Sequence, residues 1–149
     1  MKRGFGTLAA ALYLATASPA FAHHSHPLTY DWCKSITVEG SVESVEYKNP
    51  HSIIVVRQDD GTAYTVDWLA MDGLTRNGIL ESAKGALAFG ARVSITGAPI
   101  RTAAEIRGFF PDFKGEVNPR TIDPWLIRRV GDTFSWARPA HAPASCEGQ

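Results

Sequence analysis

Residues 35–47 alternate between apolar and polar side chains over a length that favours one long β-strand. Apolar side chains take every second position as far as Val42, and the alternation resumes one residue out of step at Val45. Such a slip inside a strand indicates a β-bulge, and Gly40 permits sharp coiling nearby. Because long, bent first strands are typical of small closed barrels, this stretch predicts a barrel.

The rest of the chain continues this β pattern, with one helical region at residues 71–88 that three glycines divide into short helices. We therefore predict a mainly β fold, a small OB-like barrel of five or six strands with one short helical segment. An open sheet covered by one helix is the alternative. The further predicted strands cover residues 51–57, 63–68, 91–97, 105–110, 125–130 and 133–136.

Residues 1–22 have the three parts of a secretory signal peptide. Lys2 and Arg3 are followed by a short apolar core and then by Ala20-Phe21-Ala22, which suits signal peptidase. The core is shorter than the roughly 20 apolar residues that span a bilayer. We expect cleavage after residue 22, a periplasmic or secreted protein, and no stable membrane insertion afterwards. An uncleaved anchor is the alternative.

Removing residues 1–22 leaves 127 of the 149 residues, which suits one domain. We expect an extended, His-rich lead-in at residues 23–34, where Pro27 argues against a helix. The OB-like domain then covers residues 35–136, and a flexible Pro/Ala-rich tail covers residues 137–149.

The charged side chains are scattered rather than clustered. The precursor balances 15 basic against 15 acidic side chains, and loss of Lys2 and Arg3 leaves a net charge of −2. Sequence-independent nucleic-acid binding needs clustered Lys and Arg to displace phosphate counterions. We therefore expect a protein or small-ligand partner and no nucleic acid.

The chain has two cysteines, Cys33 and Cys146. In an oxidising compartment they can form a disulfide that joins the end of the chain to the start of the fold. Free or metal-binding thiols are the alternative, and the spacing is not that of a Cys-x-x-Cys redox motif.

Three of the five histidines follow the predicted cleavage site within four residues. A new N-terminal His23 can bind Cu(II) through its α-amine and its own Nδ1, with a third nitrogen from His24, His26, His51 or His141. Nitrogen ligands favour copper, and zinc or nickel is less favoured. A mobile His-rich end that binds metal weakly is the alternative.

His51 follows Asn49-Pro50, a turn signal, at the start of a predicted strand. Asn49 and Pro50 are structural turn residues, and His51 either stabilises this turn through a backbone hydrogen bond or serves as a metal ligand. No catalytic residue is assigned, because the sequence has no diagnostic carboxylate pair, nucleophile elbow or phosphate-binding glycine loop.

Three motifs in order resemble an uncharacterised bacterial family of exported proteins, the domain of unknown function 6152. The resemblance covers residues 23–97 and implies export and a small β fold, with no established activity. It assigns His23, His24 and His51 to the family's recurrent histidines, whereas His26 stands where an aromatic residue is expected. Residues 101–149 depart from the pattern. The motifs are His23-His24-Ser25, Thr37-Val38-Glu39-Gly40-Ser41-Val42 and Asn49-Pro50-His51-Ser52.

Together these features favour an exported small β-barrel binding protein over an enzyme. The sharpest hypothesis is a transition metal, copper above zinc or nickel, held by His23, His24 and His51, with His26 and His141 as weaker candidates. The alternative is a metal-free periplasmic protein-interaction or accessory module. A brace-type copper site could activate oxygen, but the sequence carries no substrate signature.

Overall fold

The computed structural model describes residues 26–139 and residue 146, and this part of the chain is mainly β. Five strands form a closed barrel, a sixth strand extends it, and four short helices accompany them. In chain order the elements are α1 (His26–Thr29), β1 (Ile36–Glu46), β2 (Ser52–Arg57), β3 (Ala63–Trp68), α2 (Met71–Arg76), α3 (Leu80–Ala86), β4 (Arg92–Pro99), α4 (Ala103–Phe109), β5 (Thr121–Arg129) and β6 (Ser135–Ala137).

The barrel closes through a parallel contact between β3 and β5. The strand order is β3-β2-β1-β4-β5-β6, and every neighbouring pair in that order is antiparallel. Thr65 and Val66 of β3 pair with Thr121 and Ile122 of β5. The predicted OB-like barrel is confirmed, and the open-sheet alternative is wrong because the sheet closes on itself.

The long first strand carries the predicted bulge. Its register with β2 shifts between Val42 and Ser44. The first half of β1 pairs with β4, and the second half pairs with β2. Gly40 lies where β2 approaches β1 closely, because a Cβ at this position would overlap the carbonyl oxygen of Arg57. A side chain there would force the two strands apart.

Side chains from all the barrel strands fill one core. Trp68 of β3 and Trp136 of β6 meet edge to face, with ring centroids 5.4 Å apart. Leu74 of α2 and Leu87 after α3 belong to this core, and the prediction of short helices in residues 71–88 is confirmed. Only Gly78 separates the two helices, whereas Gly73 and Gly85 lie within them. The other large, fully buried side chains are Val38, Val42, Ile54, Val56, Val66, Val93, Ile95, Ile122 and Ile127.

Residues 103–109 form helix α4, so the strand predicted at 105–110 is wrong. Thr102 accepts a hydrogen bond from the Glu105 backbone N–H, and the Glu105 side chain accepts one from the Thr102 backbone N–H. This capping box stabilises a helix start, and Ile106 is the apolar side chain that the helix buries. The described residues therefore contain more helices than the single helical segment that the sequence predicts.

The lead-in is not fully extended, since its residues His26–Thr29 form helix α1. Pro27 is compatible with this helix because a first-turn residue needs no hydrogen-bonded N–H. At the other end, Ala137 belongs to β6 and the Arg138 backbone N–H donates to the Trp125 carbonyl. The fold therefore continues past the predicted boundary at residue 136, while residues 1–25, 140–145 and 147–149 lie outside the described part.

A disulfide joins Cys33 to Cys146, the two cysteines whose pairing the sequence suggested. Their Cα atoms lie 5.5 Å apart, although the residues are 113 positions apart in sequence. Both sulfur atoms are therefore committed to a covalent bond, and the alternative of metal-binding thiols is wrong. None of the helices in residues 26–139 has the length and hydropathy needed to cross a membrane.

Candidate functional site

Two histidine–aspartate pairs lie side by side where α1 meets the ends of β3 and β5. Nδ1 of His26 lies 3.0 Å from Oδ2 of Asp123, and Nδ1 of His51 is hydrogen-bonded to Oδ1 of Asp67. The two imidazole rings stack, with centroids 5.1 Å apart and planes inclined by 30°. The structure therefore brings together two of the five histidines with one carboxylate for each.

The turn before β2 places His51. The peptide bond between Asn49 and Pro50 is cis, and Asn49 Oδ1 accepts a hydrogen bond of 3.2 Å from the backbone N–H of Asp72. The backbone N–H of Met71 also donates to the Lys48 carbonyl, which fastens the turn to α2. His51 Nδ1 itself bonds to the Asp67 carboxylate, which joins this turn to β3.

The register of the closing strands places the two aspartates. One residue beyond the paired Val66 and Ile122, Asp67 and Asp123 occupy corresponding positions on parallel strands. Val66 and Ile122 are fully buried in the core, and alternation puts the aspartates on the outer barrel face. Neighbouring strands lie about 4.8 Å apart, which matches the separation of the two imidazole rings.

Both oxygens of Asp67 accept hydrogen bonds. Oδ1 accepts from His51, and Oδ2 accepts from the phenol of Tyr30 at 2.6 Å. Burial raises the pKa of Tyr30 far above its usual range, and the negative charge of Asp67 raises that pKa further. The phenol is therefore a permanent donor, which holds Asp67 in place.

Both oxygens of Asp123 are also occupied, although the residue is only 1% exposed. Oδ1 accepts from the guanidinium of Arg138, and Oδ2 accepts from the indole N–H of Trp32 at 3.0 Å and lies beside His26. Arg138 donates in addition to the Pro124 carbonyl and lies over the Trp32 ring, 5.6 Å from its centroid. A buried carboxylate is costly unless paired, and this one has three partners.

The hydrogen bond to Asp67 defines which nitrogen of the His51 imidazole carries the lone pair. An ionised carboxylate only accepts hydrogen bonds, so Nδ1 of His51 carries the proton and the lone pair is on Nε2. Metal-binding histidines in proteins are commonly oriented in this way, with the other ring nitrogen donating to a carboxylate. The 3.0 Å approach of His26 Nδ1 to Asp123 is an ion-pair distance and not a hydrogen bond, so it defines no tautomer for His26.

A pocket of about 160 Å³ opens beside the rings. The side chains of His26 and His51 are each 20% exposed, which leaves them partly accessible to solvent. The carboxylates of Asp67 and Asp123 and the guanidinium of Arg138 together carry one net negative charge when the two imidazoles are neutral. The pocket walls are formed by His26, Pro50, His51, Trp68, Leu69, Ala70 and Arg138.

The other predicted ligands, His23, His24 and His141, lie outside the described residues. Within residues 26–139 and 146, no group of three or more His, Cys, Asp and Glu side chains is arranged to hold a metal ion. The sequence reasoning ranked His26 low and missed Asp67 and Asp123. Their positions become informative only once β3 and β5 are known to be parallel neighbours.

A family of unknown function, DUF6152, matches residues 11–108 of this chain. The chain belongs to DUF6152. The resemblance inferred from the sequence is therefore confirmed at the level of the family. The DUF6152 match includes His26, His51 and Asp67 and ends before Asp123 and Arg138, so it contains one complete pair.

Comparison with other proteins adds little beyond the DUF6152 assignment. No curated protein matches the chain at a significant level. Among solved structures, one described as "OBody NL8 bound to hen egg-white lysozyme" is similar, with a TM-score of 0.46 and 21% sequence identity. The similarity covers 66% of this chain and 96% of that one.

Proposed function

We propose that this protein is exported and binds a transition-metal ion, copper above zinc or nickel, through His23 and His24 at its mature N-terminus together with His51. The single observation that carries the proposal is the bond between His51 Nδ1 and Asp67. It leaves the lone pair of His51 on Nε2, the nitrogen that would bind a metal. Removal of such a carboxylate commonly weakens metal affinity by about 10–100-fold.

The export part of the proposal rests on the composition of residues 1–22, a basic start, a short apolar core and small residues before His23. Cleavage there gives His23 a free α-amine, which chelates together with its own Nδ1. Copper is favoured because amine and imidazole nitrogens bind Cu(II) more tightly than the other first-row divalent ions.

A second candidate is a metal-free interaction or accessory module in the periplasm. It is favoured by three exposed aromatic side chains, Phe89, Phe109 and Phe110, which are 85%, 46% and 39% exposed. Phe109 and Phe110 are adjacent in sequence, and a contiguous exposed apolar patch is typical of a binding surface. In this case substitution of His23 and His51 by Ala leaves partner capture unchanged.

The test compares the secreted protein that starts at His23 with the same protein carrying one added residue before His23. N-terminal sequencing first establishes the natural start. Cu(II) titration followed by electron paramagnetic resonance then measures the affinity and the number of bound nitrogens. Tight binding that is lost in the extended protein and in His51→Ala, but kept in His141→Ala, supports the proposal. Weak binding in all four proteins contradicts it and favours the metal-free module.

A further inference from the structure

We infer that the groove between helix α3 and the outer edge of strand β6 binds an extended peptide of a partner protein, which adds to the sheet as one further strand. This inference does not depend on the proposed metal binding, because none of the described residues that line the groove is a histidine. It gives the alternative, a metal-free interaction module, a defined surface and a partner of defined backbone conformation.

The first observation is the unpaired edge of β6. Within residues 26–139 and 146, β6 is the last strand in the order of the sheet, and β5 is the strand that pairs with it. The Arg129 backbone N–H donates to the Phe134 carbonyl where this pairing begins. Since hydrogen-bonded pairs alternate along an antiparallel ladder, Ser135 and Ala137 direct their N–H and C=O groups away from β5.

These outward groups identify the class of partner. A row of unpaired N–H and C=O groups at a sheet edge is a template for another strand. Recognition by strand addition takes its affinity from main-chain hydrogen bonds and its specificity from pockets for alternate side chains. The three residues of β6 span about 10 Å at roughly 3.3 Å per residue, so about three residues of a peptide can pair with them.

The second observation is a cavity of about 510 Å³ that opens along this edge. One wall is β6 together with Phe134, and the opposite wall is the part of α3 that carries Ser82, Gly85 and Ala86. The Arg129 guanidinium donates to the Gly85 carbonyl at 3.2 Å, which joins the two walls. Sites of about 300–1,000 Å³ are usual for bound ligands, and the small side chains of α3 leave space for a peptide backbone.

The charges around the groove favour an uncharged peptide. Glu81 is paired with Lys84, and Asp132 lies 3.6 Å from Arg129, so the two signs balance. Phe134 supplies an apolar surface and packs against the barrel core. The occupant that matches this lining is an extended segment without charged residues, with one apolar side chain directed toward Phe134.

Two other occupants match the groove less well. A second copy of the chain would have to insert a strand of its own barrel between β6 and α3, where the space suits a single extended segment. The chain's own end is held elsewhere, since Cys146 is bonded to Cys33, and the neighbouring Trp32 lies beside Arg138. Arg138 follows β6 at the end that lies away from the β5–β6 hairpin.

The experiment uses the purified protein and short peptides selected against it from a random phage-displayed library. Isothermal titration with the synthetic peptides measures their affinity. We expect Ser135→Pro to weaken binding at least about tenfold, because proline removes an outward N–H while the hydrogen bonds to β5 stay in place. The conservative variant Ser135→Thr retains this N–H and should retain the affinity within about twofold. Thermal melts establish that each variant is folded.

A second pair of variants tests the wall formed by α3. No described atom lies within 4 Å of a Cβ added at Gly85, which lines the groove, so Gly85→Leu is compatible with the fold. Its side chain should occupy peptide space and weaken binding at least about tenfold. Gly73 of α2 has the same open surroundings and does not line the groove, so Gly73→Leu is the matched control and should bind like the parent protein.

Amide hydrogen exchange of the unmodified protein tests the inference without any substitution. Saturating peptide should slow the exchange of the Ser135 and Ala137 amides at least about tenfold, because their N–H groups become hydrogen-bonded. The Trp136 amide, which faces β5 in the alternating ladder, should change much less. This measurement decides the inference even where a variant fails to fold.

Several outcomes overturn the inference. Selection that yields no binding peptide, or a peptide that binds Ser135→Pro as tightly as the parent, contradicts strand addition at β6. Protection of the Ser135 and Ala137 amides in the free protein also overturns it. Protection that rises with protein concentration indicates a second copy, and constant protection indicates a segment of the same chain. These results are independent of Cu(II) titration, so failure of the groove and failure of the proposed metal site are distinguishable.

Discussion

Tyr30 donates a 2.6 Å hydrogen bond to Asp67, which lies 37 residues further along the chain and bonds His51 through its other oxygen. Tyr30 is 4% exposed, and its backbone also forms an isolated bridge with Ile100. The lead-in is therefore joined to the barrel at the level of the candidate site. The hydrogen bond between Tyr30 and Asp67 therefore contributes both to the stability of the fold and to the position of His51.

The first prediction concerns this bond. Tyr30→Phe should lower the free energy of unfolding by about 1–3 kcal/mol, because it leaves a carboxylate oxygen of Asp67 without its donor. Urea denaturation measures the change. Tyr64→Phe is the matched control, since the Tyr64 hydroxyl has no hydrogen-bond partner among the described residues, and it should change stability by less than about 0.5 kcal/mol. Equal effects of the two substitutions would contradict the prediction.

The second prediction concerns Gly97, which lies opposite the segment that carries Asp123. A Cβ at Gly97 would overlap the Asp123 carbonyl oxygen and lie 2.8 Å from the Pro124 Cα atom. Gly97→Ala should therefore lower the unfolding free energy by about 1–3 kcal/mol or more, since backbone atoms must move.

The control for Gly97 is Gly85 of α3, where no described atom lies within 4 Å of an added Cβ. Gly85→Ala should be neutral or stabilise by up to about 1 kcal/mol, because alanine favours a helix. Thermal melts of both variants measure the difference. A Gly97→Ala protein as stable as its parent would show that β4 and β5 can separate without cost.

The third prediction concerns the disulfide between Cys33 and Cys146, which closes a loop of 113 residues. Replacing both cysteines by Ser should lower the unfolding free energy by about 2–5 kcal/mol, mainly because the unfolded chain gains freedom. Denaturation in urea measures this loss. The parent protein treated with a thiol reductant should match the double variant, and an unchanged midpoint after complete reduction would be evidence against the effect.

The fourth prediction concerns acid stability and Asp31. Burial by itself raises the pKa of Asp31, but the ammonium of Lys34, the guanidinium of Arg101 and the Cys33 backbone N–H together lower it below its ordinary value of 3.8. A carboxyl with a lowered folded pKa contributes stability above its unfolded pKa. That contribution is lost as the pH falls through the folded value.

Asp31→Asn should therefore be less stable than the parent protein at about pH 6, and the difference should shrink as the pH falls below about 4. Unfolding free energies measured across this range test the prediction. Asp112→Asn changes an exposed aspartate and is the matched control, and at about pH 6 it should change the unfolding free energy by less than about 0.5 kcal/mol. A constant difference for Asp31→Asn would mean that its charge has no role.

Much of the barrel can be predicted from the sequence because its strands alternate. The bulge near Val42 shows as a one-residue slip, and Gly61 marks the turn between β2 and β3. Helix α4 was misassigned because residues 105–110 are too few for periodicity to separate helix from strand. The capping box of Thr102 and Glu105 was the decisive local signal.

The candidate site is harder to predict because its carboxylates come from distant strands. His51 stands out through its Asn-Pro-His turn. Asp67 looks like an ordinary polar position of β3, and Asp123 precedes a proline in a loop-rich stretch. Only the parallel pairing of β3 with β5 makes these two residues neighbours. Such pairing depends on packing of the whole chain, which a pattern of single residues does not encode.

The partners of Asp123 come from opposite ends of the fold, so they are synthesised at different times. Trp32 lies near the start of the fold and Arg138 near its end, and both bond the same carboxylate. A chain that stops at β5 has the aspartate but lacks the arginine that neutralises it. The buried carboxylate beside His26 therefore has its full set of partners only after almost the entire described fold is in place.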